Sequence, residues 1–362
     1  MKVFCDYHHV ELFESLRILF EDRLGWELYR PIGLDWHTNK YWSVFKPIFF
    51  EKFLFTARTE QLLALDNNKA SFLKEMQQRD PRGDYVFKNI NQTFIWGGLY
   101  SVETLEFPGQ KYKAITFDYF KKNKFDIIVS SMYDHVELFE DLKNKYQPQA
   151  KHIFQAGNNW PPHPLAINIL SSSKTYQPFN KDKSNIVYYH QEFKLLPPIQ
   201  KFNPKSIYNI MHFTQQGKEL FFQLEEELKD WKFKYCGAGN RDKMLGPDIN
   251  VINNVFQKEM GFLWHVKKEG DGYGYNIHRA ASQGIPIITY KDDFKGMTAE
   301  SLLDENYSCI DLSNTDNLVN RLKEAVFNYK KYSNKIYLNF INTVDFDYEF
   351  RNQLTNFFSR LL

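Results

Sequence analysis

Six consecutive residues, Glu269-Gly270-Asp271-Gly272-Tyr273-Gly274, set two carboxylates and three glycines between an apolar run and a helix-like segment. Glycine lets backbone N–H groups come close to a ligand, and a helix start carries partial positive charge. Such a turn suits a diphosphate, while Glu269 or Asp271 suits hydroxyl groups. A tight connection with solvated carboxylates would read the same from these residues alone. His265 and His278 bracket the turn, and Arg279 follows in the helix with five N–H donors and no acceptor. Other basic residues stand past the ends of strand-like runs: Lys218 after SIYNIMHF, and Arg241 and Lys243 after the turn carrying Gly237 and Gly239. Ligands of open α/β sheets collect at the carboxyl ends of strands.

In the first half, Asp6, His8 and His9 follow the opening strand-like run. A histidine titrating near neutrality can take a proton from a hydroxyl, and a carboxylate can orient it. His8 or His9 is therefore the expected general base, with Asp6 as its partner and Glu192 or Asp134 as substitutes. The turns Gln155-Ala156-Gly157-Asn158-Asn159 and His190-Gln191-Glu192 are similarly placed, with Gln155, Asn158, Asn159, His190 and Glu192 as candidate acceptor contacts. The ten histidines form no H-x-x-x-H, and no metal site is expected.

These residues need a scaffold that gathers strand ends. VFCDY reads as a buried strand, and Val10 to about Leu24 as a helix with apolar residues at the 3.6 period. Gly25 stops it before the strand WELYRPIG. Residues 35–109 are less regular, with a helix expected at Thr59–Arg79, and read as an insertion shaping a substrate cleft. Order resumes with the strand FDIIVSS, the helix DHVELFEDLKNKY and the strands KHIFQA, INILSSS and NIVYYHQEF. The prolines from Pro197 to Pro204 block helix and central strand, marking a linker. The alternation then restarts with SIYNIMHF, KELFFQLEEELKD, WKFKYCGAG, the short segment INVINNVFQKEM, FLWHVK, the glycine turn, a helix from Tyr275 and the strand PIITY. Residues 317–362 read as two helices. The expected fold is α/β: two Rossmann-like, doubly wound domains facing a central cleft, with C-terminal helices. Residues 1–200 form the acceptor side, and 201–362 the donor side together with the tail.

DGYGYNIHRAASQGIPII resembles the donor-site signature of GT-B glycosyltransferases, an acidic-Gly-aromatic-Gly turn leading into a helix that ends in Gly-x-Pro before a strand. Asp271 falls on its first acidic position, and Gly272, Tyr273 and Gly274 on the turn. Ala280, Ala281, Gly284 and Pro286 fall on the close-packed helix and its exit. KDDFKGMTAESLLDENYSCIDL is similar to the stretch that follows, so the likeness spans about residues 206–325. It implies transfer of a sugar from a nucleotide donor, UDP- or GDP-linked, to an acceptor hydroxyl, with no metal or other cofactor. It also implies that Lys218 approaches the diphosphate and that the 237–243 turn faces base or phosphate. Arg279 departs from the pattern, standing where many relatives place a second glutamate that binds ribose. The expectation is that Arg279 meets phosphate, leaving ribose to Glu269, Glu300 or a backbone group.

The composition agrees with a globular enzyme. Among 362 residues, 43% are hydrophobic and 25% charged, too apolar for bulk disorder and long enough for two domains. Forty-six basic residues against 44 acidic give +2, without the surplus of a duplex binder. Aromatics reach 17%, with 33 Phe and 22 Tyr, consistent with an aromatic-lined cleft. Cys5, Cys236 and Cys309 are widely spaced in apolar runs and read as buried free thiols of a cytoplasmic protein. No leader and no membrane span are expected. The acceptor is a glycan, a small molecule or modified DNA. A sugar-nucleotide 2-epimerase, a phage-type glycosyltransferase acting on hydroxymethylated bases, and a non-catalytic nucleotide-sugar-binding homologue are the alternatives.

Overall fold

The computed structural model describes residues 1–6, 10–31, 93–95, 98–100, 104–106, 113–115, 117–131, 133, 135–159, 161–198, 204–211, 216–237, 240–242, 249–303 and 307–362. The helix expected at 59–79, and most of the expected insertion, lie outside these residues.

The first half opens with β1 (Lys2–Cys5), α1 (Val10–Arg17, continued by a π-helical stretch to Arg23) and β2 (Glu27–Pro31). Then come β3 (Thr93–Ile95) and β4 (Gly98–Tyr100), a separate antiparallel pair, followed by β5 (Thr104–Glu106) and β6 (Lys113–Ile115). It continues with α2 (Phe117–Lys122), β7 (Ile127–Ser130), α3 (His135–Tyr146), β8 (Lys151–Ala156), β9 (Asn168–Ser171) and β10 (Asn185–Tyr188). Eight strands form one sheet in the order β10-β9-β8-β7-β1-β2-β6-β5, parallel except for the β5–β6 edge. Side chains alternate across a strand. Val3, Cys5, Ile127 and Val129 thus enter one core with Leu12, Phe13 and Leu16 of α1, while Phe4 turns to Phe120, Phe125 and Phe139. A strand buried on both faces reads as a continuous apolar run, which is why these strands are legible in the sequence.

The second half repeats the pattern with β11 (Ser206–Asn209), α4 (Lys218–Glu227), β12 (Lys232–Tyr235), α5 (Ile249–Lys258), β13 (Phe262–Trp264), α6 (Tyr275–Ser282), β14 (Ile287–Thr289) and β15 (Cys309–Asp311). Its sheet is wholly parallel, in the order β12-β11-β13-β14-β15. One face buries Ile207, Trp264 and Ile288 under α4 and α7 (Leu318–Phe327). The other buries Leu263 and Ile287 under α5, α6 and α8 (Tyr329–Thr343). The segment INVINNVFQKEM, left unassigned by its sequence, forms α5.

The tail departs from expectation. After α8 come α9 (Phe346–Glu349), a π-helical stretch and α10 (Thr355–Leu361). Leu354, Phe357, Phe358 and Leu361 belong to the first sheet's core, and Asn185 Nδ2 donates to Phe357 O at 3.2 Å. The end of the chain therefore packs on the first half, whereas the sequence assigned the tail to the second. Each buried Leu or Phe contributes about 1.5–3 kcal/mol, and the first half offered the open apolar face. No helix among the described residues is long and apolar enough to cross a membrane. All three cysteines are free and buried.

Candidate functional site

β13 delivers buried Trp264, His265 and Val266 to the glycine turn. Lys267 O accepts Gly270 N–H at 2.9 Å, and Glu269 (φ 64°) and Gly270 (φ 68°) both adopt the left-handed conformation. At Gly270 a Cβ would lie 2.1 Å from Asp293 O. Glu269 is exposed, and Asp271 pairs with Lys267 at 3.1 Å. At Gly272 the constraint is the first half of the chain. A Cβ there would lie 2.8 Å from the Asn158 carbonyl carbon and 2.8 Å from Asn159 Oδ1. The glycine turn is thus seated against the turn that follows β8. Gly274 begins α6 with no side-chain cap, so the orphan N–H groups of its first turn suit an anion.

Behind the turn lies a stack of rings. Tyr273 lies 4.2 Å from His278, nearly parallel, and donates its O–H to Gln191 O at 3.2 Å. His278 donates Nδ1–H to Gly274 O at 3.0 Å, which leaves Nε2 as a lone-pair acceptor. His190 stands 5.4 Å from His278, and its Nδ1 and backbone N–H donate to the Glu349 carboxylate at 2.5 and 2.7 Å. Burial, with His190 nearby, pushes His278 down to about 3. Burial also lowers His265 to about 4, against the opposing charge of Asp271. Both rings are neutral at pH 7. Neither nitrogen of His265 has a hydrogen-bond partner among the described residues.

Across the cleft, Asp6 is buried at the end of β1. It accepts Ser131 N–H at 2.8 Å, the Ser131 hydroxyl at 2.5 Å and His135 Nδ1–H at 2.8 Å. Burial raises its carboxyl, but the bonds and charge of His135 and the Ser131 bonds outweigh this and hold it below the usual range. The partner observed for Asp6 is therefore His135, at the start of α3. His8 and His9 themselves, like Asp134, Gly239 and Lys243, lie outside those residues. Ser130, His152 and Glu140 form a second array, with Ser130 Oγ to His152 Nε2 at 2.9 Å and His152 Nδ1 to Glu140 at 2.8 Å. Its connectivity matches an acyl-transfer triad. Ser130 is wholly buried, however, and no substrate reaches it.

Several expected ligands are committed elsewhere. The Arg279 guanidinium donates to Asn253 Oδ1 and lies 5.5 Å over the Phe256 ring, so it packs α6 on α5. Arg241 pairs with Glu225 at 2.5 Å and Asp242 at 3.0 Å, over Phe222. Gln155 is buried and accepts the Tyr189 hydroxyl at 2.6 Å. Glu192 forms a fork with Arg23 at 2.6 and 3.0 Å, and so offers no free carboxylate to an acceptor. Gly237 (φ 131°) lets the β12 end pass close to Met211 O. Lys218 starts α4 two residues after Gln216, whose Oε1 accepts Lys268 N–H, so this junction lies beside the residues that lead into the glycine turn. Asn158 and Asn159 also meet that turn. Asp345-Phe346-Asp347 has D-x-D spacing, but Asp345 caps α9 and Asp347 pairs with Arg23 at 2.5 Å.

The arrangement is two parallel sheets whose carboxyl strand ends meet, with a glycine turn and a helix N-terminus at the junction. No family model matches the sequence, and no curated protein matches it. Solved structures do match the fold along the whole chain. HepE of Anabaena, in complex with UDP and glucose, aligns at TM-score 0.55 and 9% identity over 100% of both chains. A variant of S. aureus TarM, in complex with fondaparinux, α-GlcNAc-glycerol and UDP, aligns at 0.54 and 10% over 99% of both. A glycosyltransferase from Rickettsia africae aligns at 0.51 and 9%, over 99% of this chain and 98% of its own. The chain has the GT-B fold. The return of α10 to the first sheet ties the two halves at a second point.

Proposed function

We propose that this protein is a glycosyltransferase that moves a sugar from a nucleoside-diphosphate donor to an acceptor hydroxyl. The observation that carries the reading is the Gly272–Gly274 turn, which opens an uncapped helix and touches the facing half at Asn158. A diphosphate at the α6 N-terminus would place the sugar between the two sheets. In the transfer, the bond from the anomeric carbon to the diphosphate oxygen breaks and a bond to the acceptor oxygen forms. The acceptor proton goes to a base on the first-half side. Negative charge develops on the departing diphosphate, where backbone N–H groups and the helix dipole stabilise it. Lys218, beside the turn, adds positive charge, and no metal is required for this step. Neutral His265 and His278 avoid competing with the diphosphate as anions would.

UDP is the first nucleotide to test, because it is bound in the HepE and TarM structures that share this fold. Thermal-shift titration with UDP, GDP, ADP, CMP and dTDP, then with their sugar conjugates, decides the donor. Stabilisation by one nucleotide, with release of that nucleoside diphosphate from its sugar conjugate, is the expected result. No stabilisation by any of them would remove the reading. Binding without turnover across an acceptor panel would favour a nucleotide-sugar-binding homologue, the alternative that Arg279's withdrawal from the donor side supports.

A further inference from the structure

Thr298 is buried, 2% exposed, at the start of a short 3-10 turn that follows the loop after β14. Its hydroxyl donates to Ser172 O at 2.8 Å and accepts Lys174 N–H at 3.0 Å, both in the turn after β9. One proton and two lone pairs allow both bonds at once. Its own amide points to Gly272 O at 3.5 Å. Neighbours close the same seam: Asn159 Nδ2 lies 3.8 Å from Met297 Sδ, and Ala299 Cβ would be 3.1 Å from a Cβ at Gly274. One hydroxyl thus joins the glycine turn of the second half to the facing turn of the first.

We propose that Thr298 is a positioning residue for the transfer, a clasp that sets the register of the glycine turn against the Ser172–Lys174 turn when the cleft is closed. The inference rests on the glycosyltransferase reading for its effect on rate, though not for its effect on closure. When the two halves separate, water can satisfy Ser172 C=O and Lys174 N–H. When they close, Thr298 supplies both partners. A side chain of the same shape without the hydroxyl leaves two backbone groups unmatched in the closed state and none in the open one. The loss therefore falls on the balance between open and closed forms, and leaves each half folded.

The experiment compares Thr298→Val with Thr298→Ser in the full chain. Hydrogen exchange at the Lys174 amide reads the clasp directly, because the Thr298 hydroxyl is its acceptor. With both hydrogen bonds lost, Thr298→Val should speed that exchange by about tenfold or more and lower kcat for transfer by a similar factor. UDP affinity by calorimetry should stay within about twofold, since the nucleotide lies on the second half. Thr298→Ser should recover most of both losses, and the thermal midpoint checks that both variants fold. Unchanged Lys174 exchange in Thr298→Val would overturn the clasp. If the parent transfers no sugar from any donor, the functional reading fails, and the exchange result still decides the clasp.

Discussion

The two edges that face each other across the cleft solve the burial of polar groups in opposite ways. On the first-sheet side three buried or half-buried carboxylates are matched to imidazoles: Asp6 with His135, Glu140 with His152, and Glu349 with His190. On the second-sheet side His265 and His278 are buried without a carboxylate partner and stay neutral, beside a helix start that no side chain caps. A buried charge needs a partner, whereas a buried neutral ring does not. Among the described residues the first edge pairs its buried carboxylates, and the second carries a helix start without a side-chain cap. In the proposed function an anionic ligand belongs to the second edge, and the contact between the two edges at Gly272 sets how closely that ligand is enclosed.

The strongest way to break this pairing of edges is to separate them. Gly272→Ala places a methyl 2.8 Å from the Asn158 carbonyl carbon, and backbone cannot swing aside as a flexible side chain can. Transfer should fall by more than about a hundredfold, the scale expected when reacting groups are displaced by an ångström. Calorimetry should show nucleotide affinity less affected than turnover. Equal turnover in parent and variant would mean that the turns do not meet during the reaction.

Acid should attack the two edges in sequence. His265 and His278 have folded pKa values near 4 and 3, below about 6.5 in the unfolded chain. Between those values the unfolded chain takes up protons that the folded chain refuses, so stability falls as pH drops below about 6.5. By pH 5 the loss should be about 1–2 kcal/mol for each ring. The Asp6 and Glu140 carboxyls are held below their ordinary values, so their contribution is present above about pH 4 and disappears only below it. Urea melts at pH 7, 5.5 and 4.5 test the order. His265→Phe, which sacrifices no hydrogen bond among the described residues, should flatten the first limb and leave the second.

Arg279→Ala sharpens the contrast from the donor side. Its guanidinium bonds Asn253 and covers Phe256, so the variant should lose about 1–2 kcal/mol of stability, with UDP affinity unchanged within about twofold. A tenfold loss of affinity, measured by calorimetry, would return Arg279 to the phosphate. The smallest effect is expected at Glu192→Gln. Its fork with Arg23 is partly exposed, and such pairs contribute about 0–1 kcal/mol, so melting should shift by a degree or two and transfer should not change.

The sequence by itself determined the local order. Continuous apolar runs announced the buried parallel strands, and the 3.6-residue period announced α1. Asp271-Gly272-Tyr273-Gly274 before a helix announced the turn at the cleft. The packing of Arg279 on Asn253 and Phe256 was not legible, because its place in a motif says which helix carries it and not which face it takes. The Asn158 contact of Gly272, the Thr298 bond to Ser172, the Glu349 pair of His190 and the seat of α10 on the first sheet were decided by tertiary structure alone. Each joins residues distant in the chain. Periodicity records that a face is buried, since burial constrains residue type at every turn of the helix or strand. It carries no record of which distant surface does the burying, because many surfaces would exclude water equally well.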